Sequence, residues 1–495
     1  MIIGALLVTP SCADREGEAR SAVKAAAFEV LEARKLETES FDAALEHYEM
    51  ALNSISQVRQ EYPDTSTAAL LNKPSTYLGP ITIGAIEGTI LPAVRRRAEA
   101  ESSPLACAAF MAETILAPAP RIQAVCTVAR SAAALGRVAV AQQMVQNATV
   151  TAHGLPAGSE SREKAFEALA NALIDTRELE KARSLILAHG FEAPWQRLAI
   201  ALARTGQTRR SAGMVTHALG GEPLARLEAR AVIGTALSRE GNPASALAMM
   251  QEAERWAKLV RSEQLTQAGL ILATQFASQR ALNAADAWLG EVNGLRTAKR
   301  EELDALITAY KEGGGEARLL QRVHDGLKMI EAGTDISPAS EVPWLANIAY
   351  LQAKLGEGEP GAFALSQARI RADNIAPDDG LPLLTNEIET LLDIGERLLL
   401  INHVQPGMDA TEDALKRLEG LPLEQRSNIL SRAASLAARA GKPERAIDLI
   451  EKLHDQAEIA AALAQTAQAS GERLMVPKRK LHDLVARFDR LEGLR

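Results

Sequence analysis

One pattern recurs along this chain and restricts its fold more than any other feature. A small residue is followed four positions later by a large apolar one, and three positions after that by another small one. Ala44, Tyr48 and Ala51 set the pattern in the stretch ESFDAALEHYEMAL. Spacing of i, i+4 and i+7 places the three on one helical face. The preceding stretch already reads as helix, with Phe28 and Leu31 three apart, so ETES joins an αα-hairpin. A lone hairpin leaves its second face uncovered, and only stacked neighbours can bury it.

The neighbours are present. Gly136, Ala141, Val145 and Ala148 repeat the pattern, as do Gly241, Ala246, Met250 and Ala253. Further copies carry Gly356, Gly361, Leu365 and Ala368, then Gly441, Ala446 and Ile450, with weaker ones centred on Ala182, Ala212 and Ala285. The steps between copies, 30 to 41 residues, are those of a helix-turn-helix repeat. The composition agrees. The 495 residues are 47% hydrophobic but only 3% aromatic, rich in alanine and leucine and poor in β-branched runs.

These residues resemble the tetratricopeptide repeat. That family carries a small residue in the first helix, glycine at the turn, and alanine, a large residue and alanine in the second. Gly234, Gly241, Ala246, Met250 and Ala253 match in order, as do Ala129, Gly136, Ala141, Val145 and Ala148. The opening copy departs from the pattern, with Glu32 at the small position and Glu39 at the glycine. The family's aromatic survives as Phe28 and Phe166. The terminal proline is mostly missing, and the spacing drifts. The resemblance spans Ala25 to Gly471 with gaps. It implies an all-α, right-handed α-solenoid of degenerate repeats, a scaffold whose surface binds a partner peptide or protein.

Composition breaks divide the chain into expected units. Residues 14–72 form an N-terminal helical pair, 73–103 an irregular apolar connector rich in Gly, Pro and β-branched residues, and 104–331 the central array. Residues 332–420 read as a divergent helical segment, and 421–495 as closing repeats with a charged helix capping the open end. Residues 1–13 read as the remnant of a secretory signal ending at Ser11-Cys12-Ala13, without the usual basic start. A lipidated Cys12, with Thr9 where an aliphatic residue belongs, and a frayed terminus are the alternatives. Export favours an envelope setting, and the composition has a bacterial character. No other stretch reaches the ~18 apolar residues of a spanning helix.

Chemistry is sparse. The net charge of −8 argues against a general nucleic-acid binder. Cys12, Cys107 and Cys126 form no CxxC pair, and the eight histidines form no metal-ligand spacing, so no metal or cofactor is expected. Gly313–Gly315 lacks the lysine and Ser/Thr of a phosphate loop and reads as a loop or hinge. Arg95–Arg97 and Lys478–Lys480 read as solvated helix ends, with an anionic ligand as the alternative. Cys107 and Cys126 flank a turn, either as buried thiols or as a disulfide. Trp195, Trp256, Trp288 and Trp344 read as repeat core, or as anchors for a bound peptide. No catalytic set emerges, so binding without catalysis is expected. The competing readings are a structural subunit of an envelope assembly and an enzyme on an all-α toroid.

Overall fold

The computed structural model describes residues 12–217, 222–291, 295–332, 338–373, 381–471 and 475–488. Of the signal expected over residues 1–13, residues 1–11 lie outside them. Cys12 opens the first helix. An N-terminal arm contains α1 (Cys12–Leu36), α2 (Phe41–Glu61), α3 (Ser66–Leu71), a hairpin of β1 (Tyr77–Leu78) and β2 (Ile81–Thr82), the short α4 (Ile83–Ala85), a π turn over Ile86–Ile90, and α5 (Leu91–Glu101). Then come α6 (Pro104–Thr114) and a series of antiparallel pairs. The pairs are α7 (Pro118–Ala134) with α8 (Val138–His153), α9 (Glu160–Asp175) with α10 (Leu179–His189), and α11 (Glu192–Arg204) with α12 (Thr208–His217). α13 (Pro223–Arg239) pairs with α14 (Pro243–Ala257), α15 (Leu265–Ser278) with α16 (Leu282–Glu291), and α17 (Arg300–Gly313) with α18 (Glu316–Glu331). α19 (Pro338–Lys354) pairs with α20 (Gly358–Asp373), α21 (Leu381–Leu400) with α22 (Val404–Lys416), and α23 (Leu423–Arg439) with α24 (Pro443–Ile450). The last helices are α25 (Gln456–Ser470) and α26 (Lys478–Phe488).

The chain is a helical repeat protein, and one turn geometry makes it so. Each first helix from α7 to α25 is followed, within two residues, by a residue with left-handed backbone. Gly136, Gly206, Gly241, Gly314, Gly356, Gly441 and Gly471 take this place, and Arg177, Arg280 and Asn402 take it where glycine is missing. The next amide reaches back to the helix, as in Asn242 N–H to Leu237 O (3.0 Å), Ala281 N–H to Phe276 O (2.9 Å) and His403 N–H to Leu398 O (2.9 Å). This is the Schellman closure, which satisfies carbonyls that a helix end leaves open.

Small residues then let the paired helices approach. A Cβ on Gly234 would lie 3.1 Å from Met250 and 3.2 Å from the Ala246 carbonyl. One on Gly361 would lie 2.6 Å from the Ala349 carbonyl. Ala44, Tyr48, Ala51, Ala141, Ala246, Met250, Ala253 and Ala446 are all buried, while Gly136, Gly241 and Gly441 stand at the turns. Phe28 differs from expectation. It is 57% exposed, and Ala26, Val30 and Ala33 face the core instead. The face that buries Ala26 and Ala33 turns Phe28 outward by helical periodicity.

Successive first helices pack directly on one another, whereas the second helices touch their own partner and the next first helix. The first helices therefore form the crowded inner layer of a curved array, and the second helices the splayed outer layer. Residues 332–420 hold the pairs α19/α20 and α21/α22. Residues 73–103 hold the hairpin, the π turn and α5, which packs against α2.

The array does not end in an open face. α25 packs on α23 behind it and on both α6 and α7 ahead of it, so the repeat series closes into a ring. α6 runs antiparallel to α25 as a split helical pair. Gln456, at the start of α25, donates to Met111 O (3.0 Å) and Thr114 Oγ1 (2.8 Å) at the end of α6. The C-terminal helix, expected to cap an open end, therefore packs on α5 and α6. A buried node fastens it. Glu101, 1% exposed, accepts from the amides of Phe41 (3.1 Å) and Asp42 (3.4 Å) at the start of α2 and lies 2.6 Å from His482 Nδ1. The His482 ring sits 4.5 Å from the Phe41 ring, Arg97 lies over the same Phe41 ring at 5.2 Å, and Lys478 bonds Asp42 (2.6 Å).

Two outcomes follow. Arg280→Gly should stabilise the protein by about 0.5–1 kcal/mol, because an L side chain is strained in the left-handed region. Chemical denaturation reads the difference. Glu101→Ala should cost about 3–5 kcal/mol, since it strands His482 and two helix-start amides in the interior. Lys478→Ala, on the exposed side of the same contact, should cost under about 1 kcal/mol.

Candidate functional site

The inner layer carries two wide concavities. One of about 660 Å³ is floored by α11, α13, α15 and α17 and lined by small residues (Ala203, Ala236, Ala305) and charged ones (Arg204, Arg239, Asp304, Glu312). A second, of about 770 Å³, lies across the closure between α7, α9 and α25, with Thr127, Arg130, Asp175, Gln465 and Gln468 on its walls. Helical repetition explains this lining. One face of each first helix packs on its pair and its neighbours, and the remaining face, which nothing covers, carries the polar residues.

Those polar residues are linked from repeat to repeat. Arg130 (2.5 Å) and Arg197 (3.0 Å) share Asp175 across α7, α9 and α11. Arg239 reaches Glu312 (2.7 Å) from α13 to α17. Arg300 forms an ion pair with Glu396 (3.1 Å), which Arg432 also approaches (3.4 Å), joining α17, α21 and α23. Ser431 donates to Gln465 (3.1 Å) on α25. Asp304 holds both Arg300 (2.9 Å) and the Tyr350 hydroxyl (2.6 Å), and burial together with that carboxylate pushes the tyrosine pKa up. Asp393 and Glu396 hold the Arg432 charge in place against the cost of burial. Glu228, on α13, is different. Burial raises its carboxyl pKa, and Arg204 and Arg197 only partly oppose this.

Most of the two basic triplets is engaged within the chain, Arg479 alone being exposed without a described partner. Arg95 pairs with Glu49 (2.8 Å), Arg96 with Glu113, and Arg97 is buried against Phe41. Lys480 reaches Asp448 (2.8 Å). Cys107 and Cys126 are both free and buried, and burial pushes each thiol up to about 12. In the EHYE stretch, His47 meets Glu29 (2.6 Å) and Tyr48 donates to Glu37 (2.6 Å), so its groups face different neighbours. Gly313 closes α17 against the Ala277 carbonyl rather than forming a hinge, and Gly314 makes the turn. Trp195 donates to Met214 O (3.2 Å), Trp288 to Glu254 (3.2 Å), Arg226 stacks on Trp256 at 4.7 Å, and Arg296 on Trp344 at 4.5 Å. Trp195 and Trp256 thus tie the two helices of one pair, while Trp288 and Trp344 link neighbouring repeats. Among the described residues no group of three His, Cys, Asp or Glu could hold a metal ion, and no helix is long and apolar enough to cross a membrane.

The closure node had no signal in the sequence. Glu101 lies at the end of a stretch read as a connector, His482 in a helix read as a cap, and 381 residues separate them.

No family model matches the chain, and no curated protein matches it. Among solved structures it is similar to a chain described as "Circular tandem repeat protein with novel repeat topology and enhanced subunit contact surfaces". The identity is 13%, covering 97% of this chain and 96% of that one, with a TM-score of 0.17. A score that low carries no argument, and the ring rests on the helix contacts above.

Replacing Glu228 with Gln should raise the melting temperature at neutral pH and leave it unchanged in strong acid. The folded carboxyl has a raised pKa, so the unfolded state ionises first and folding loses stability as pH climbs through the carboxylate range. Thermal melts across pH read the effect.

Proposed function

We propose that this protein is a protein-interaction scaffold of tetratricopeptide-like repeats that binds a partner polypeptide on the inner face of its ring and does not turn it over. The observation that carries this reading is the continuous polar inner layer, with concavities of about 660 and 770 Å³ spread over several repeats. A catalytic pocket draws convergent groups to one point. Here the charged groups are distributed and pair between neighbouring helices, so the face offers a regular series of weak contacts. Such a face suits an extended ligand held by a few anchors and a polar rim. The net charge of −8 favours a partner with basic segments. Export to the cell envelope is part of this proposal, and a structural subunit of an envelope assembly would use the same face.

The test begins with capture of partners by the full chain in its native cell extract, identification by mass spectrometry, and calorimetry with the purified partner. Ala305 is exposed in the groove. Ala305→Arg should obstruct the ligand without entering the core and weaken binding by about tenfold or more, ~1.4 kcal/mol. Raising salt should weaken it further if basic segments of the partner are engaged. Unchanged affinity for the groove variant would move the site elsewhere. Turnover of a small molecule, abolished by one point substitution on the inner face, would replace the scaffold with an enzyme.

A further inference from the structure

Among the described residues, one face of α1 lacks the neighbour that a repeat array supplies. α1 packs on α2, α3 and β1. The opposite face presents Ser21, Lys24, Ala25, Phe28, Leu31 and Lys35, all exposed. Phe28 is 57% and Leu31 50% exposed, and Tyr77, on the strand that leans on α1, is 70% exposed. The hairpin lies close beside this stripe, since a Cβ on Gly79 would fall 3.8 Å from Leu31 Cγ. Isolated surface leucines need no explanation, but an exposed Phe28 and Leu31 one turn apart on α1, beside a strand that exposes Tyr77, do.

The charges on this face indicate what covers it. Lys24 has no partner among the described residues, although ion pairs are frequent over the rest of the surface. Glu32, with its side chain 30% exposed, holds only the loose 3.4 Å contact to Lys35. Lys24 lies one turn before Phe28 and Glu32 one turn after it. The face is therefore self-complementary under reversal. An antiparallel copy centred on Phe28 brings Lys24 level with Glu32 of the second copy, sets the small Ala25 level with Leu31, and puts the two Phe28 rings together. The same operation repeats each match on the other side of the axis, as an isologous two-fold interface requires.

We propose that α1 is a homodimerisation helix, pairing antiparallel with α1 of a second copy of this chain and continuing the helical stacking across a two-fold axis. The overlap runs from about residue 20 to residue 36, roughly 25 Å of helix, with Tyr77 flanking it. This surface is separate from the inner face and does not depend on the function proposed for it.

The experiment is the mass of the full chain in solution, by light scattering and sedimentation equilibrium over a concentration series. The expected result is a species of twice 53.0 kDa that dissociates on dilution. Phe28→Asp sets two carboxylates against each other at the axis and should raise the dissociation constant by at least about tenfold. Lys24→Glu and Glu32→Lys should each weaken the dimer, and the two together should restore it, which a non-specific loss of packing would not allow. Unchanged helical circular dichroism and melting temperature confirm that each variant is folded. A 53.0 kDa monomer at every concentration up to the solubility limit would overturn the proposal, as would a dimer that none of these substitutions affects. A monomer that floats with anionic vesicles through Phe28 and Leu31 would assign the face to a lipid surface and overturn it equally.

Discussion

The left-handed residue after each first helix is the constraint on which the rest of the ring depends. It ends a helix, satisfies the last carbonyls through a six-to-one hydrogen bond, and sends the chain back antiparallel in a single step. Because the same backbone geometry recurs at Gly136, Arg177, Gly206, Arg280, Asn402 and Gly441, the pairs share one shape even though the spacing between them drifts. Variation in helix length is absorbed at the far ends of the pairs, where the connections differ. The small residues act next. Gly234 against Ala246, and Gly361 against Ala349, fix how closely each pair can pack.

Closing the ring poses an electrostatic problem that an open solenoid avoids. The two ends of the chain must meet, and the arm, α6 and α26 converge on a carboxylate at 1% exposure. An isolated buried charge would be prohibitive. Glu101 is tolerated because it sits at the start of α2, where free amides and the helix dipole already favour an anion, and because His482 supplies a further donor. Ser40 satisfies the neighbouring amide of Ala43 (3.3 Å), so the start of α2 is fully used. The node therefore serves as cap and clasp together, and it explains why the C-terminal helix docks across the seam.

The repeat class was legible in the sequence because small and large residues at i, i+4 and i+7 report packing directly. Ala44, Tyr48 and Ala51, and likewise Ala246, Met250 and Ala253, lie where their spacing places them. What failed had physical causes. Where Arg177, Arg280 or Asn402 stands in for glycine, the turn signal vanishes although the turn itself persists. In residues 332–420, Asn402 hides one such turn. Phe28 was matched to an aromatic core position, yet the Ala26 and Ala33 face won the packing and turned it outward. Ring closure could not be read at all, since local periodicity does not encode that Gln456 meets Thr114 or that His482 meets Glu101. The inner concavities were invisible for the same reason. They are assembled from one residue or two on each of several repeats.

A closed ring changes what the inner face can do. In an open solenoid, the curvature follows a ligand by small shifts shared among repeats. Here α25 must keep its packing on both α6 and α7, so a change of curvature at one repeat has to be compensated by the others or borne at the seam. The inner ion pairs work in the same direction, since Asp175, Glu312 and Glu396 each join first helices from different repeats. The inner surface is thus held near one shape by its own contacts. α1, in the N-terminal arm, packs on α2, α3 and β1, so contacts made through its exposed face bear on those neighbours first and reach the ring through α2 and α5.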